Sequence, residues 1–392
     1  LPYFLTVRNG GTKALENVQH GNEKVLRARL DDAKFFFEND RKKTLEGHRD
    51  DLTRINYQEG MGDMRDKADR LQKLTEAIGK DWDFTAEEPA DADRAAFLSK
   101  SDLATGMVTE FTELQGEMGK EYALLDGEKP EVAQAIFEQY MPRFAGDILP
   151  EQEIGRALSL ADKLDNLAAT FLRGLIPTGS QDPFALRRQT IGAVNILTDG
   201  KIHWDIRRGI EAALALLPGD EETKKTVLSQ IKDFFRQRIK AIMLDEGIAY
   251  DIIDAVLAGP VDDIYALFLK ARSMAESQLK DETELRQAVT RLANITKGKT
   301  GGKVDPSLFN EDVEKKLQDA FEAVSAKALP LFASYEYGKA LPALKELTAP
   351  INDYLDNVMV MVDDEAVKNN RISQLLATLA LFNTWGDFSK LV

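Results

Sequence analysis

The sequence has 392 residues, of which 43% are hydrophobic and 30% charged, so it has enough apolar material for one or more buried cores. Lys and Arg number 51 against 66 Asp and Glu, and the resulting net charge of −15 excludes a protein that coats nucleic acid with its whole surface. Cysteine is absent, which excludes disulfides, thiolate nucleophiles and Cys-based metal sites.

Tyr3, Leu5 and Val7 occupy every second position near the N-terminus. Tyr3, Leu5 and Val7 fall on one face of an extended chain, which predicts a short strand. We interpret residues 1–21 as the remnant of a preceding domain. No apolar run approaches the roughly 18–20 residues that span a bilayer, so neither a membrane partner nor a membrane location is expected.

From residue 22 onward, apolar residues recur at helical spacing. Such spacing places them on one face of an amphipathic helix and predicts an all-α protein. Residues 95–108, which include Ser101 and Asp102, are also predicted to be helical. The clearest stripes are 25–37, 71–78, 132–137, 154–164, 227–242, 252–257, 313–329 and 372–382.

Breaks between these helices are marked by Gly, Pro and acidic residues. They fall at 80–93, 126–130, 174–183, 218–222 and 297–306. We place a domain boundary at the fourth break, which predicts one helical domain over 22–222 and another over 223–392. Residues 223–303 contain fourteen Lys or Arg and eleven Asp or Glu, a local balance of +3, so an anionic ligand is expected to contact this stretch.

Two catalytic patterns are weak in this sequence. Gly298, Lys299 and Thr300 resemble the end of a phosphate-binding P-loop, but Ala293 stands where its first glycine belongs and a helix precedes it. Asp102 and Asp162 interrupt apolar helices and could ligate a metal. None of the three histidines has another histidine at ligand spacing, so capping or solvent exposure is the more economical interpretation.

A third group combines cations with aromatic residues. Arg236 and Lys240 share a helix face close to Phe234 and Phe235. Arginine and asparagine can recognise base edges, lysine binds phosphate, and aromatic rings stack on unpaired bases. The two phenylalanines are more simply interpreted as core residues. The cations of the group, together with one amide, are Arg236, Arg238, Lys240, Arg291, Asn294 and Lys297.

Several longer strings resemble the β subunit of bacterial heterotetrameric glycyl-tRNA synthetase, in one order along the whole chain. They are GNEKVLRARLDDAKFFFENDRKKTLE (21–46), KSDLATGMVTEFTELQGEMG (100–119), ALSLADKLDNL with GLIPTGSQDPFALRR (157–188), YDIIDAVLA (250–258), RLANI (291–295) and NVMVMVDDEAVKNNR (357–371).

This resemblance implies the C-terminal portion of such a β subunit. It implies an HD-like helical domain over 22–222 and, over 223–392, a helical anticodon-binding domain similar to that of arginyl-tRNA synthetase. It further implies tRNA(Gly) and an α subunit as partners in an α2β2 enzyme of the cytoplasm, with no DNA partner. ATP and Mg²⁺ would be used by the α subunit, and this chain would carry no catalytic site or cofactor of its own.

The resemblance to HD domains is incomplete. Ser101 occupies the position of the paired histidine, while Asp102 and Asp162 remain as vestigial positions, so a metal site is not expected. A residual metal-dependent phosphohydrolase stays as the alternative function, and a module that only docks the α subunit as another. For tRNA binding we add Arg371 and the pair Arg187 and Arg188, as outer phosphate contacts, to Arg236, Arg238, Lys240, Arg291, Asn294 and Lys297.

Overall fold

The computed structural model describes residues 3–179 and 181–391. Within these residues the regular structure is helical, with eighteen α-helices, seven short 3₁₀ helices and only isolated β-bridges. The predicted all-α class is confirmed. The α-helices are α1 (Leu15–Asp40), α2 (Leu45–Arg49), α3 (Met64–Asp81), α4 (Glu88–Leu98), α5 (Gly106–Glu110), α6 (Glu117–Leu125), α7 (Pro130–Glu138), α8 (Glu153–Leu172), α9 (Leu186–Asp199), α10 (Ile206–Ala215), α11 (Glu221–Asp245), α12 (Tyr250–Val256), α13 (Ile264–Glu276), α14 (Thr283–Thr296), α15 (Asp312–Ala333), α16 (Leu341–Lys345), α17 (Thr348–Asn357) and α18 (Glu365–Asn383).

The predicted N-terminal strand is not formed. Its first two residues lie outside the described part of the chain, and residues 3–8 are irregular and exposed, with Asn22 Nδ2 of α1 donating to Thr6 Oγ1 at 3.2 Å. A strand requires a neighbouring strand to pair its N–H and C=O groups. The described residues provide no such neighbour.

The predicted helix over 95–108 is also wrong. Helix α4 ends at Leu98, and Lys100 adopts a left-handed conformation with φ of 65°. A 3₁₀ turn over Ser101–Ala104 follows, before α5 begins at Gly106. The apolar spacing of this segment is compatible with a helix, but left-handed backbone at Lys100 interrupts the helical hydrogen bonds.

The other breaks follow local signals. Pro130 is the first residue of α7, where its missing N–H costs no helical hydrogen bond. Asp220 caps α11 by accepting the N–H of Thr223. Residues 174–183 connect α8 to α9, and residues 297–306 lie between α14 and α15. The predicted loops at these positions are therefore confirmed.

The chain forms two compact units. The first comprises Leu1–Gly79, Phe84–Met141 and Pro150–Ser159, and the second comprises Lys80–Asp83, Pro142–Leu149 and Leu160–Val392. The predicted boundary at 222 does not coincide with this division, because α10 and α11 on its two sides pack against each other in the second unit. A Gly-containing break in sequence separates two helices here, not two packing units.

In the first unit, α4 and α6 pack against α7. Asp40, at the end of α1, accepts the N–H groups of Gly106 and Met107 at 2.8 Å each and the hydroxyl of Tyr122 at 3.0 Å. Because the first N–H groups of a helix have no partner within it, this carboxylate satisfies the start of α5. Asp40 therefore joins α1 to α5 and α6.

In the second unit, α11 packs against α9, α10 and α12, while α14 packs against α17 and α18. One face of α11 is buried through Ile231, Phe235 and Ile239. Phe234 is also buried, at 5% exposure, so the interpretation of both phenylalanines as core residues is confirmed.

None of the helices in the described residues is both long enough and apolar enough to cross a membrane.

Candidate nucleic-acid interface

Two of the three predicted cations of α11 are occupied by contacts within the protein. Arg236 is half-buried and its Nη1 donates to the carbonyl oxygens of Leu257 and Gly259, the latter at 3.0 Å. Lys240 forms an ion pair with Asp254 of α12 at 2.6 Å, with both side chains 44% exposed. Arg236 therefore stabilises the turn after α12, whereas the exposed Lys240 pair contributes little and its cation remains accessible.

Arg238 and Arg187, distant in sequence, are near enough for their charges to interact. The Arg238 guanidinium stands over the Phe234 ring, 4.6 Å from its centroid. Burial, followed by the charge of Arg187, lowers the pKa of Arg238, and the carboxylate of Asp182 opposes this effect. The Phe234 ring in turn contacts Phe171 edge-on at 5.4 Å. The core thus supports the Arg238 guanidinium, on which the charge of Arg187 also acts.

Residues of the loop before α9 make hydrogen bonds with the first residues of this helix. Asp182 accepts the N–H groups of Leu186 and Arg187 at 2.8 and 2.9 Å, and Arg187 Nη2 donates to Gly179 O at 2.7 Å. Arg188 is exposed and has no hydrogen-bond or ion-pair partner among the described residues. We call Arg187, Arg188 and Arg238 the α9–α11 basic patch.

A second basic surface follows α14. Lys297, Lys299 and Lys303 are all exposed, and we call residues 297–303 the lysine loop. Ser373 of α18 accepts the Gly302 N–H at 2.8 Å, and Asn370 accepts the Asp305 N–H at 2.7 Å. The loop is therefore attached to α18 while its lysines face solvent, which is a suitable arrangement for contacts to phosphate.

The predicted residues of α14 divide into two groups. Arg291 donates to Asn352 Oδ1 at 3.0 Å and pairs with Asp356 at 2.5 Å, so its guanidinium joins α14 to α17. Asn294 is exposed in the last turn, near Lys297, and its side chain has no hydrogen-bond partner among the described residues. An exposed amide beside a lysine retains the hydrogen-bonding groups with which asparagine recognises a base edge.

Arg371 is not placed as a phosphate contact, and that prediction is corrected. The side chain is 5% exposed. Its Nε and Nη2 bind the two carboxylate oxygens of Glu314 at 2.9 and 3.2 Å, and Nη1 donates to Met359 O at 2.8 Å. All three guanidinium nitrogens are used inside the second unit. Arg371 follows the buried Val367 at i, i+4 spacing and therefore lies on the same inward face of α18. This spacing could have indicated burial, but the prediction relied on the charge of Arg371.

The vestigial HD position Asp102 has a structural role. The side chain is fully buried, and its two oxygens accept the Gly116 N–H at 2.7 Å and the Tyr140 hydroxyl at 2.9 Å. Burial raises the pKa of Asp102 in spite of these two hydrogen bonds. Asp162 is buried in α8 in the second unit, and no group of three or more potential metal-ligating side chains occurs in the described residues. The phosphohydrolase alternative is not supported.

Two features were missed at the level of sequence, and a third was recognised only in part. Asp40 gave no signal beyond an acidic residue at a helix end, and the partners of Asn370 and Ser373 lie some seventy residues away along the chain. Lys299 and Lys303 were visible as a basic loop, but only the structure attaches that loop to α18.

The comparisons with known proteins agree with this architecture. Residues 285–386, which contain α15–α18, the lysine loop and all but the first two residues of α14, match the model of the DALR anticodon-binding domain. This match places the C-terminal helices in a class of anticodon-binding modules. Residues 1–258 match the model of the glycyl-tRNA synthetase β subunit. The chain belongs to the glycyl-tRNA synthetase β-subunit family.

Similar full-length proteins carry the corresponding name. The glycine–tRNA ligase β subunit of Clostridioides difficile is 44% identical over 393 residues, covering 100% of this chain and 57% of that protein. Those of Desulforamulus reducens and Shouchella clausii are 41% and 42% identical, covering 99% and 100% of this chain and 56% and 57% of their own length. The chain thus spans a little more than half the length of the curated relatives it matches.

Proposed function

We propose that this chain acts in glycine–tRNA ligation by binding tRNA(Gly), and that a separate α subunit attaches glycine with ATP and Mg²⁺. The observation that carries the proposal is the position of the lysine loop, which lies inside the stretch matched by the anticodon-binding model. In an α2β2 enzyme of the cytoplasm, the chain would hold the tRNA while its partner performs the chemistry.

The lysine loop supplies the first contact. Lys297, Lys299 and Lys303 are exposed and belong to a segment that Ser373 and Asn370 hold in place. A loop that is already ordered loses less conformational entropy when it binds, so its charges contribute more of their attraction to affinity. Asn294, one turn before the loop, would contact a base of the anticodon loop.

The α9–α11 basic patch supplies the second contact. The charge of Arg187 contributes to the lowered pKa of Arg238, and a phosphate bound at this point would offset that repulsion. Arg188 follows Arg187 in α9, is exposed, and adds a third cation. We assign the patch to the sugar–phosphate backbone and not to base recognition, because arginine contacts to phosphate position a nucleic acid without reading its sequence.

The proposal is tested by measuring binding of tRNA(Gly), and of an anticodon-swapped tRNA(Gly), over a range of salt concentrations. Replacing Lys297, Lys299 and Lys303 by Gln should weaken binding and lower the slope of log K against log salt by roughly 2, at about 0.7–0.9 per phosphate contact. The matched control replaces Lys24, Lys73 and Lys225, which are exposed and have no ion-pair partner among the described residues.

Three outcomes separate the alternatives. A preference for the native anticodon that the lysine-loop variant loses supports the proposal. An unchanged slope in that variant, when folded, removes the lysine loop from the interface. No binding by the parent chain, together with co-purification with an α subunit, would favour the docking-only alternative.

A further inference from the structure

A histidine and a tyrosine form a close parallel stack in the second unit. The rings of His203 and Tyr335 are inclined by 11° and their centroids are 3.5 Å apart. His203 Nδ1 lies 2.9 Å from Asp263 Oδ2, and the other oxygen of Asp263 accepts the N–H of Ala266 at the start of α13. The imidazole is therefore held both by a ring and by a carboxylate that is itself fixed.

The backbone at Tyr335 is unusual for an aromatic residue. Its φ is 60°, in the left-handed region. The Tyr335 N–H donates to Phe332 O at 3.1 Å and the Glu336 N–H donates to Leu331 O at 2.8 Å, so Tyr335 occupies the position after the end of α15 that most often carries glycine. A side chain there raises the free energy of the folded state relative to glycine. A tyrosine at such a position indicates that contacts of its ring offset the cost of the left-handed backbone.

The stack joins parts of the chain that the two family models match separately. His203 lies in the stretch 1–258, Tyr335 lies in the stretch 285–386, and Asp263 lies between them. The Ile206 N–H donates to Asp262 O at 3.0 Å, so the backbone beside His203 is tied to the same corner. The phenol of Tyr337 lies near Tyr335, with ring centroids 6.4 Å apart.

We propose that His203 and Tyr335 are positioning residues that set the orientation of α14–α18 relative to α9 and α10. This proposal rests on the proposed function where it concerns tRNA. The lysine loop follows α14, and two members of the α9–α11 basic patch lie on α9. A tRNA that contacts both surfaces binds tightly only if their separation is maintained, and the stack holds that separation before the tRNA arrives.

The decisive comparison is Tyr335→Gly against Tyr335→Phe. Glycine removes the ring and relieves the left-handed backbone, whereas phenylalanine keeps the ring and loses only the hydroxyl. His203→Asn is the second variant, because its amide can still bind Asp263 but cannot stack. Since the sequence contains no cysteine, Lys225→Cys and Lys316→Cys allow two spin labels to be attached to α11 and α15 without further changes.

Distances between the labels are then measured by double electron–electron resonance, and tRNA(Gly) affinity by titration. Tyr335→Gly and His203→Asn should broaden or shift the distance distribution and weaken tRNA binding about tenfold, within the usual range of coupling between sites. Tyr335→Phe should match the parent in both. Hydrogen exchange of α14 and α18 should be the same in all three variants as in the parent. This result would show that α14–α18 remain folded.

Several results would overturn the proposal. One is a distance distribution in Tyr335→Gly identical to that of the parent. If the Tyr335 ring has no positioning role, this variant should show that result and also have equal or higher thermal stability than the parent. Another is a changed distribution with unchanged tRNA affinity. If the parent chain does not bind tRNA, the proposed function fails, whereas the distance measurement still decides whether the stack orients α14–α18.

Discussion

Arg371 of α18 and Glu314 of α15 form a two-point ion pair in the interior of the second unit, with N–O distances of 2.9 and 3.2 Å. Glu314 is fully buried, and it also accepts the N–H groups of Asn310 and Glu311 at 2.8 Å each. The carboxylate therefore completes the start of α15 and at the same time neutralises the arginine. This pair joins two helices of the candidate anticodon-binding module.

Loss of Arg371 alone should be severe. Arg371→Met leaves the Glu314 charge buried without its counter-ion, for which we expect a loss of about 3–5 kcal/mol in the free energy of unfolding. The double variant Arg371→Met, Glu314→Gln removes both charges while the glutamine oxygen can still accept the N–H groups, so it should recover much of this loss. Urea denaturation measures both values. Equal stability of Arg371→Met and the parent would contradict the buried pair.

The same pair predicts a dependence of stability on pH. Burial raises the pKa of Glu314. The hydrogen bonds from Arg371 and from the Asn310 and Glu311 N–H groups outweigh burial, so the pKa lies below its ordinary value of 4.5. A carboxyl whose pKa is lowered on folding stabilises the folded state above its unfolded pKa and loses this contribution as the pH falls through its folded pKa. The difference in unfolding free energy between the parent and Glu314→Gln should therefore shrink below about pH 4.5. A difference that stays constant between pH 7 and pH 3 would argue against this.

Asp102 should behave as a structural residue and not as a metal ligand. Asp102→Ala removes the acceptor of a buried N–H at Gly116 and of the Tyr140 hydroxyl. We expect a loss of about 1–3 kcal/mol in unfolding free energy. Addition of Mn²⁺ or EDTA should leave the melting temperature of the parent unchanged. A melting temperature that rises with Mn²⁺ in the parent but not in Asp102→Ala would revive the phosphohydrolase alternative.

Gly155 lies in helix α8, where replacing glycine by alanine usually stabilises a protein, but here we expect the replacement to destabilise it. A Cβ on Gly155 would overlap the Glu138 carboxylate and lie 2.9 Å from its Cβ and Cδ. Glu138 is 2% exposed and accepts the N–H groups of Glu151 and Gln152 before α8, at 3.2 and 3.3 Å, so it has little room to move. Gly155→Ala should destabilise the chain by about 1–3 kcal/mol.

The matched control is Gly21→Ala. Gly21 lies in exposed helix α1, and a Cβ there would meet no atom within 4 Å. Alanine should stabilise this position by about 0.5–1 kcal/mol because it restricts the unfolded chain and favours the helix. Thermal melts of the two variants should move in opposite directions. Stabilisation by both would show that Glu138 is not held in place.

Much of the helical organisation was predictable because its signals are local. The stripe of α11, the proline at the start of α7 and the Asp220 cap act over one or two turns, so a single stretch of sequence contains both partners. The alternate spacing of Tyr3, Leu5 and Val7 wrongly predicted a strand. A strand needs a second strand to accept and donate its backbone hydrogen bonds, and the local sequence does not show whether one is present.

The candidate site was predictable only in part. Lys297 and Asn294 are exposed as expected, but Arg236, Arg291 and Arg371 are engaged by carbonyls or carboxylates from other segments. Charge and helical spacing are identical for a cation that faces solvent and for one that faces an acid on a neighbouring helix. Spacing identifies which face of a helix a residue occupies, and not what packs against that face.

The sequence by itself determined the all-α class, the main helix breaks and, through its longer strings, the family. Only the tertiary structure decided which cations remain available, that the charge of Arg187 acts on Arg238, and that Tyr335 stacks on His203. The physical reason is the range of the interactions. Helix periodicity and capping act between near neighbours in the chain, whereas burial and charge pairing depend on contacts between residues that the fold brings together from distant positions.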